Sequence, residues 1–232
     1  VRTLAAQGAQ VTLMVRDRAA AERVAAEVAT QTHIVTADVS DRAAVRAGCE
    51  SAAAALGRVD ILVNNAGTVE TIPFLKTPPE VFTQMYAVHV MGAVHTAQAV
   101  LPAMLERGHG TIVNVASIAG LHGAPYVAHY VAAKHALVGL TRALAAEYRG
   151  KGITVNAVCP GYVATDLVSG SLAKISAKTG LSEAEALAAI LKDAGQPRIV
   201  EAQEVADAVL HVCAGAGAAA SGETFVLMGL DR

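Results

Sequence analysis

Cysteine is scarce in this chain. Cys49, Cys159 and Cys213 are widely spaced and odd in number, which argues against a disulfide framework and against a paired-cysteine metal site. Charge is scarce too: 16% of the 232 residues are charged, and the formal net charge is −2. A nucleic-acid binder normally shows a strongly basic face, so that class is set aside. No stretch of about 18 consecutive strongly apolar residues occurs, so a membrane span is not expected. The opening Val1-Arg2-Thr3-Leu4 lacks the charged start and hydrophobic run of a signal peptide. A reducing cytoplasm is therefore the expected compartment. What the chain has in quantity is hydrophobic residues, 53%, too many for disorder at so small a net charge. Length permits one large domain or two small ones. A fold of this size buries roughly three quarters of its extended surface and needs no staples.

β-Branched runs alternate with alanine-rich stretches. Strands are predicted at 11–15, 33–37, 59–63, 111–116, 153–158 and 223–228, and helices near 18–29, 41–56, 79–104, 128–149, 181–193 and 202–213. The strands read as continuous apolar runs, the signature of a parallel sheet covered on both faces. Asp41 and Ser182 are candidate helix starts, the latter with Glu185 at capping-box spacing. The alternation predicts one α/β domain over 1–232 with a doubly wound parallel sheet and helices on both sides. The stretch 166–200 breaks the rhythm. Gly170, Gly180 and Gly195 punctuate it, and one helix is expected there from Leu187, Ile190 and Leu191. Long excursions of this kind are often lids; a plain surface helix is the alternative. Gly215-Ala216-Gly217-Ala218-Ala219-Ala220 fits the pattern GxGxxA. It follows a helix and precedes a strand, the wrong order for gripping a pyrophosphate, and is read as a connecting loop.

Chemistry gathers at three places. Asn64-Asn65-Ala66-Gly67 ends a predicted strand, where ligands of doubly wound sheets bind, although Asn and Gly also make ordinary turns. Tyr130 and Lys134 are four apart on a predicted helix and so share a face. An ammonium beside a phenol favours phenolate and makes a better proton shuttle. Ser117 lies just past the strand 111–116, where it could hold a carbonyl oxygen beside the phenol or simply cap a turn. The histidines show no metal-ligand spacing, so no metal is expected; His122 and His129 are possible pocket-rim residues.

In order and spacing these features resemble the short-chain dehydrogenase/reductase family, with its single Rossmann-like domain. Further landmarks are Leu4-Ala5-Ala6-Gln7-Gly8-Ala9, Asp38-Val39, Asn156 and Pro160-Gly161-Tyr162-Val163-Ala164-Thr165. The resemblance implies a nicotinamide-dependent enzyme interconverting a ketone and a secondary alcohol. Tyr130 would be the proton donor and Lys134 would lower its pKa and hold the nicotinamide ribose. Ser117 would bind the substrate oxygen. Asp38 and Val39 would meet the adenine, Asn65, Ala66 and Gly67 would line the cofactor, and Pro160, Gly161, Val163 and Thr165 would hold the nicotinamide. A homo-oligomer, dimer or tetramer, through the two long helices is also implied.

Two features depart from the family. Its TGxxxGxG cofactor loop is absent: the helix end that should follow it already stands at residues 4–9. The first strand is thus expected to be missing from between 11–15 and 59–63, with roughly 15–25 residues of strand, loop and helix preceding Val1. A truncated homologue that cannot grip pyrophosphate is the alternative. His89 stands where the family usually has Asn, whose water relays protons; imidazole could serve as relay or be packed as structure. Val15 is apolar where NAD-preferring relatives carry an acid, and Arg16 follows. That suits a 2′-phosphate, so NADP(H) is favoured over NAD(H), with Asp17 as a competing ribose ligand. The motif and lid resemble both 3-oxoacyl or polyketide ketoreductases and 3-hydroxybutyrate dehydrogenases. Leu167, Val168, Leu172 and Ile175 favour an apolar ketone or acyl thioester. Lys174, Lys178 and Lys192 could meet a carboxylate or phosphopantetheine, although solvated charges on the excursion are the plainer reading. A scaffold homologue without turnover is the remaining reading.

Overall fold

The computed structural model describes residues 1–214 and 216–230. Its strands are β1 (Val11–Val15), β2 (Thr32–Thr36), β3 (Ile61–Asn64), β4 (Gly110–Val115), β5 (Ile153–Pro160) and β6 (Thr224–Leu227). The helices are α1 (Arg2–Ala6), α2 (Arg18–Ala25), α3 (Arg42–Leu56), α4 (Pro79–Tyr86), α5 (Gly92–Arg107), α6 (Ala128–Glu147), α7 (Asp166–Thr179), α8 (Glu183–Asp193) and α9 (Ala202–Ala214). Every ladder is parallel. β1 pairs with β2, and β3-β4-β5-β6 hydrogen-bond in that order. This is the predicted doubly wound, Rossmann-like α/β fold. Among the described residues β1 and β3 share no ladder, and each has a single ladder partner.

Side-chain alternation explains the continuous apolar runs. On β5, Val155, Ala157 and Cys159 pack toward α5 and α6, while Val158 packs with Val113 toward Val209 and Val212 of α9. Successive residues of a strand point to opposite faces, and both faces are covered here, so both must be apolar. Strands β4 and β5 are the buried centre: Ile112, Val113, Val155 and Val158 are wholly buried. Strands β1 and β3, with their open edges, are only half-buried.

Asp41 caps α3 through the amides of Ala43 and Ala44, and Ser182 with Glu185 closes the expected capping box on α8. Two predicted elements differ. The helix read over 79–104 is α4, a π-helical turn (Ala87–Met91) and α5. Pro79–Arg107 is long and apolar enough to cross a membrane, but half of its most apolar window is buried inside the protein. The stretch 166–200 holds two helices, α7 and α8, rather than one. In α7, Val168, Leu172 and Ile175 fall at helical spacing, but Gly170 and the interspersed Ser and Lys residues mask that stripe, and only Leu172 is buried. The GxGxxA stretch is a short 3₁₀ turn at Ala216–Ala219 between α9 and β6; Gly215 lies outside the described residues.

A chain of polar groups threads the core beneath the strand ends. Thr96 donates to Asn64 Oδ1 at 2.7 Å, Asn64 Nδ2 to Asn114 Oδ1 at 2.9 Å, Asn114 Nδ2 to Thr141 Oγ1 at 2.9 Å, and Thr141 to the Leu137 carbonyl at 2.8 Å. It ties α5, β3, β4 and α6 into one unit. Thr141→Val keeps the shape but strips the acceptor from a wholly buried amide. Urea unfolding should show a loss of about 1–2 kcal/mol.

Candidate active site

Parallel strands put all their carboxyl ends on one side of a sheet. Arg16 follows β1, Asp38 and Val39 follow β2, Asn65 to Gly67 follow β3, Ser117 follows β4, and Pro160 to Thr165 end β5. Five separate stretches of sequence are gathered at the strand ends by topology alone. Tyr130 and Lys134 come to the same place on α6, whose first turns pack against the 3₁₀ turn that begins after Ser117.

Lys134 is 4% exposed. Its Nζ donates to the Val115 carbonyl at 2.9 Å and lies over the Tyr130 ring, 5.5 Å from the centroid. Burial pulls its pKa down to about 8. Burial also pushes the Tyr130 phenol up from its ordinary value, opposed by its interaction with the Ser117 hydroxyl. The lowering of the phenol by Lys134 expected from the sequence does not appear in the ligand-free protein, where burial dominates. Ser117 is buried; its hydroxyl donates to the Pro160 carbonyl at a long 3.3 Å and accepts from the Ala119 amide at 3.1 Å. It caps the turn and keeps a weakly held proton for a better acceptor.

His89 lies in the π-helical turn, 3% exposed, with its ring edge-on to Tyr130 at 5.4 Å. Its Nε2 is 2.8 Å from the Thr68 carbonyl and 3.3 Å from the Thr68 amide, and its Nδ1 is buried without a partner. A Cβ on Gly67 would come 2.6 Å from His89 Cε1. The imidazole thus packs between the loop after β3 and the tyrosine. Burial first, and the Lys134 charge second, lower its pKa to about 4, so it is neutral at pH 7.

Arg16 is three-quarters exposed and 3.7 Å from Asp38. Asp17 is committed elsewhere, its carboxylate capping α2 through the Ala20 amide at 3.0 Å. Asp38 Oδ1 accepts from the Ser40 amide and hydroxyl, which hold its carboxyl below the usual range. Val39 is fixed by α5: its carbonyl meets His95 Nδ1 at 3.0 Å, and its side chain presses on Gly92. Asn65, Ala66 and Gly67 are exposed, leaving their backbone open to a flat ligand. Asn156 is wholly buried and holds the chain before β6 through Ala220 and Glu223. His129 is 1% exposed, binds the Glu70 carbonyl at 2.9 Å and lines the recess between α4 and α6, whereas His122 is exposed. No cluster of three metal-ligating side chains occurs among the described residues. Sequence reasoning missed Asn114, Thr96, Thr141 and the buried Gln196, because their partners lie far away along the chain.

The family model for short chain dehydrogenases matches residues 1–175. The chain belongs to the short-chain dehydrogenase family. It is 49% identical over 158 residues to a protein of Xanthobacter autotrophicus named inactive 2-(S)-hydroxypropyl-CoM dehydrogenase 2, a match covering 68% of this chain and 69% of that one. It is 31% identical over 227 residues to the 3-oxoacyl-(acyl-carrier-protein) reductase of Escherichia coli K12, covering 98% of this chain and 88% of the relative. Three other curated relatives are matched over 52%, 63% and 61% of their lengths, so the chain spans less than two thirds of those. Among solved structures, an actinorhodin polyketide ketoreductase variant with NADPH superposes with a TM-score of 0.91 at 32% identity, covering 98% of this chain and 89% of that one. Short-chain dehydrogenases of this kind are oxidoreductases that act on ketones and secondary alcohols.

Proposed function

We propose that the chain is an NADP(H)-dependent oxidoreductase interconverting a ketone and a secondary alcohol, with a 3-oxoacyl thioester or a similarly apolar ketone as substrate. The observation that carries this reading is the convergence of Ser117, Tyr130 and Lys134 on the strand ends beside the open backbone of Asn65–Gly67. A bound nicotinamide supplies and accepts hydride. The chain's own groups do the rest. Ser117 exchanges its long bond to Pro160 for one to the substrate carbonyl oxygen. Tyr130, held protonated by burial, gives its proton to that oxygen. The Lys134 ammonium stabilises the phenolate left behind. Asp38 and Val39 border the adenine end, and Pro160, Gly161, Val163 and Thr165 the nicotinamide end.

The preference for NADP(H) is supported by an exposed Arg16 next to Val15 and by Asp17 being spent as a helix cap. The apolar substrate is supported by Leu167, half exposed on the lid, and by exposed Phe74, Leu75 and Tyr126. The lid lysines Lys174, Lys178 and Lys192 keep a 3-hydroxybutyrate-like hydroxy acid as the second substrate reading. Self-association is supported by an apolar recess of about 420 Å³ between α4 and α6, lined by Phe82, Tyr86 and Ala132.

The test is a panel of ketones and 3-oxoacyl thioesters run with both NADPH and NADH. Turnover with NADPH is expected. Arg16→Ala should cut the NADPH-over-NADH preference by about tenfold through loss of a phosphate contact. Tight NADPH binding with no turnover across the panel would instead mark a cofactor-binding homologue without catalysis.

A further inference from the structure

Gln196 is 4% exposed, yet it follows α8 and Gly195 at the foot of a solvent-facing excursion. Its amide is fully used. Oε1 accepts from the Tyr162 amide at 2.8 Å, while Nε2 donates to the Tyr162 carbonyl at 3.0 Å and to the Arg198 carbonyl at 2.7 Å. One side chain thus engages both backbone groups of Tyr162, as a neighbouring strand would. Gly161 is part of the fit, because a Cβ there would collide with Gln196 Oε1.

The next residue shows what this clamp sets up. Val163 forms an isolated parallel bridge with Val200, made by the Val200 amide to the Tyr162 carbonyl and the Ala164 amide to the Val200 carbonyl, each at 2.9 Å. In such a bridge the groups of the flanked residue point away from the partner. The Val163 amide and carbonyl therefore face away from the lid foot, and the amide meets no backbone acceptor among the described residues. Tyr162 is held by Gln196 and Val200, and Ala164 by Val200. An amide fixed on both sides and left free to donate is a preorganised donor.

We propose that Gln196 is a positioning residue which, by gripping Tyr162, presets the Val163 amide for the carboxamide of the nicotinamide and so ties the lid foot to the reactive end of the cofactor. The inference rests on the nicotinamide reading above and adds a residue that touches neither substrate nor cofactor. Its action is local to one end of the ligand, which separates it from a general effect on folding.

The experiment compares the full-length protein with Gln196→Met, which keeps the length and loses every hydrogen bond, and with Gln196→Glu, which keeps the acceptor and loses the donors. Two probes are titrated by calorimetry: NADPH, and 2′-phospho-ADP-ribose, which lacks the nicotinamide. Gln196→Met should weaken NADPH by about tenfold and change the fragment by less than about twofold, with Gln196→Glu between. In the ligand-free protein the Tyr162 amide should exchange with deuterium faster in Gln196→Met. Equal weakening of both probes, or unchanged NADPH binding, overturns the proposal. Should Gln196→Met fail to fold, Gln196→Glu decides by the same comparison. A parent protein that binds neither probe would mean that the nicotinamide reading itself has failed, and the inference with it.

Discussion

Replacing Tyr130 with phenylalanine is expected to slow ketone reduction by at least about a hundredfold while leaving cofactor affinity nearly intact. The ring keeps its edge-on contact with His89 and its place beneath the Lys134 ammonium; the change removes the hydroxyl and its proton. Neither Lys134, anchored on the Val115 carbonyl, nor Ser117, which caps its turn, depends on that hydroxyl for position. Steady-state rates beside a direct NADPH titration would separate the two effects. A variant that turns over within about tenfold of the parent would remove Tyr130 from the chemistry.

The second large effect is on stability in acid. Folding lowers the His89 pKa from 6.5 to about 4. Between those values the unfolded chain takes up a proton that the folded chain does not. Stability therefore falls as pH drops through that window, by about 3 kcal/mol in total from this residue. Tyr130 and Lys134 face the ring, but the lysine titrates near 8 and the phenol above its ordinary value, so neither changes charge there. Asp38, Glu185 and Glu204, all held low, also lose stabilisation in acid, but equally in parent and variant. The difference between parent and His89→Asn in unfolding free energy, measured from pH 7 to pH 4, should isolate the imidazole, with the variant losing less. Curves that run parallel would show that His89 is not held neutral by burial. The same shift means that no activity titration near 6.5 belongs to His89.

The sheet and the pairing of Tyr130 with Lys134 were legible in the sequence because each rests on local pattern. Buried strands must be apolar on both faces, and Tyr130 and Lys134 share a helix face by spacing alone. Asp41 and Ser182 announced their helices because caps are local chemistry. The rest depends on distant partners. The imidazole of His89, in the π-helical turn, packs between Gly67 and Tyr130, contacts that no window of sequence contains. The apolar stripe of α7, Val168, Leu172 and Ile175, is short and broken by Gly170, because the helix packs mainly on α8 and leaves most of its surface to water. Gln196 looked like any loop glutamine, since its partner Tyr162 lies 34 residues earlier.

The anchoring of Lys134 on the β4 backbone has a consequence for how this protein can change. The Lys134 anchor at Val115 and the Ser117 hydroxyl hang from the same strand end, two residues apart, at the edge of the buried centre formed by β4 and β5. The excursion formed by α7 and α8 is instead a hairpin packed on itself and joined to the body at its two feet. On the function proposed above, proton delivery and substrate choice would therefore reside in separable parts. Mutations along the hairpin would alter which molecule is admitted without disturbing the geometry around Ser117 and Lys134, so drift in selectivity would be cheap and drift in reaction type would not.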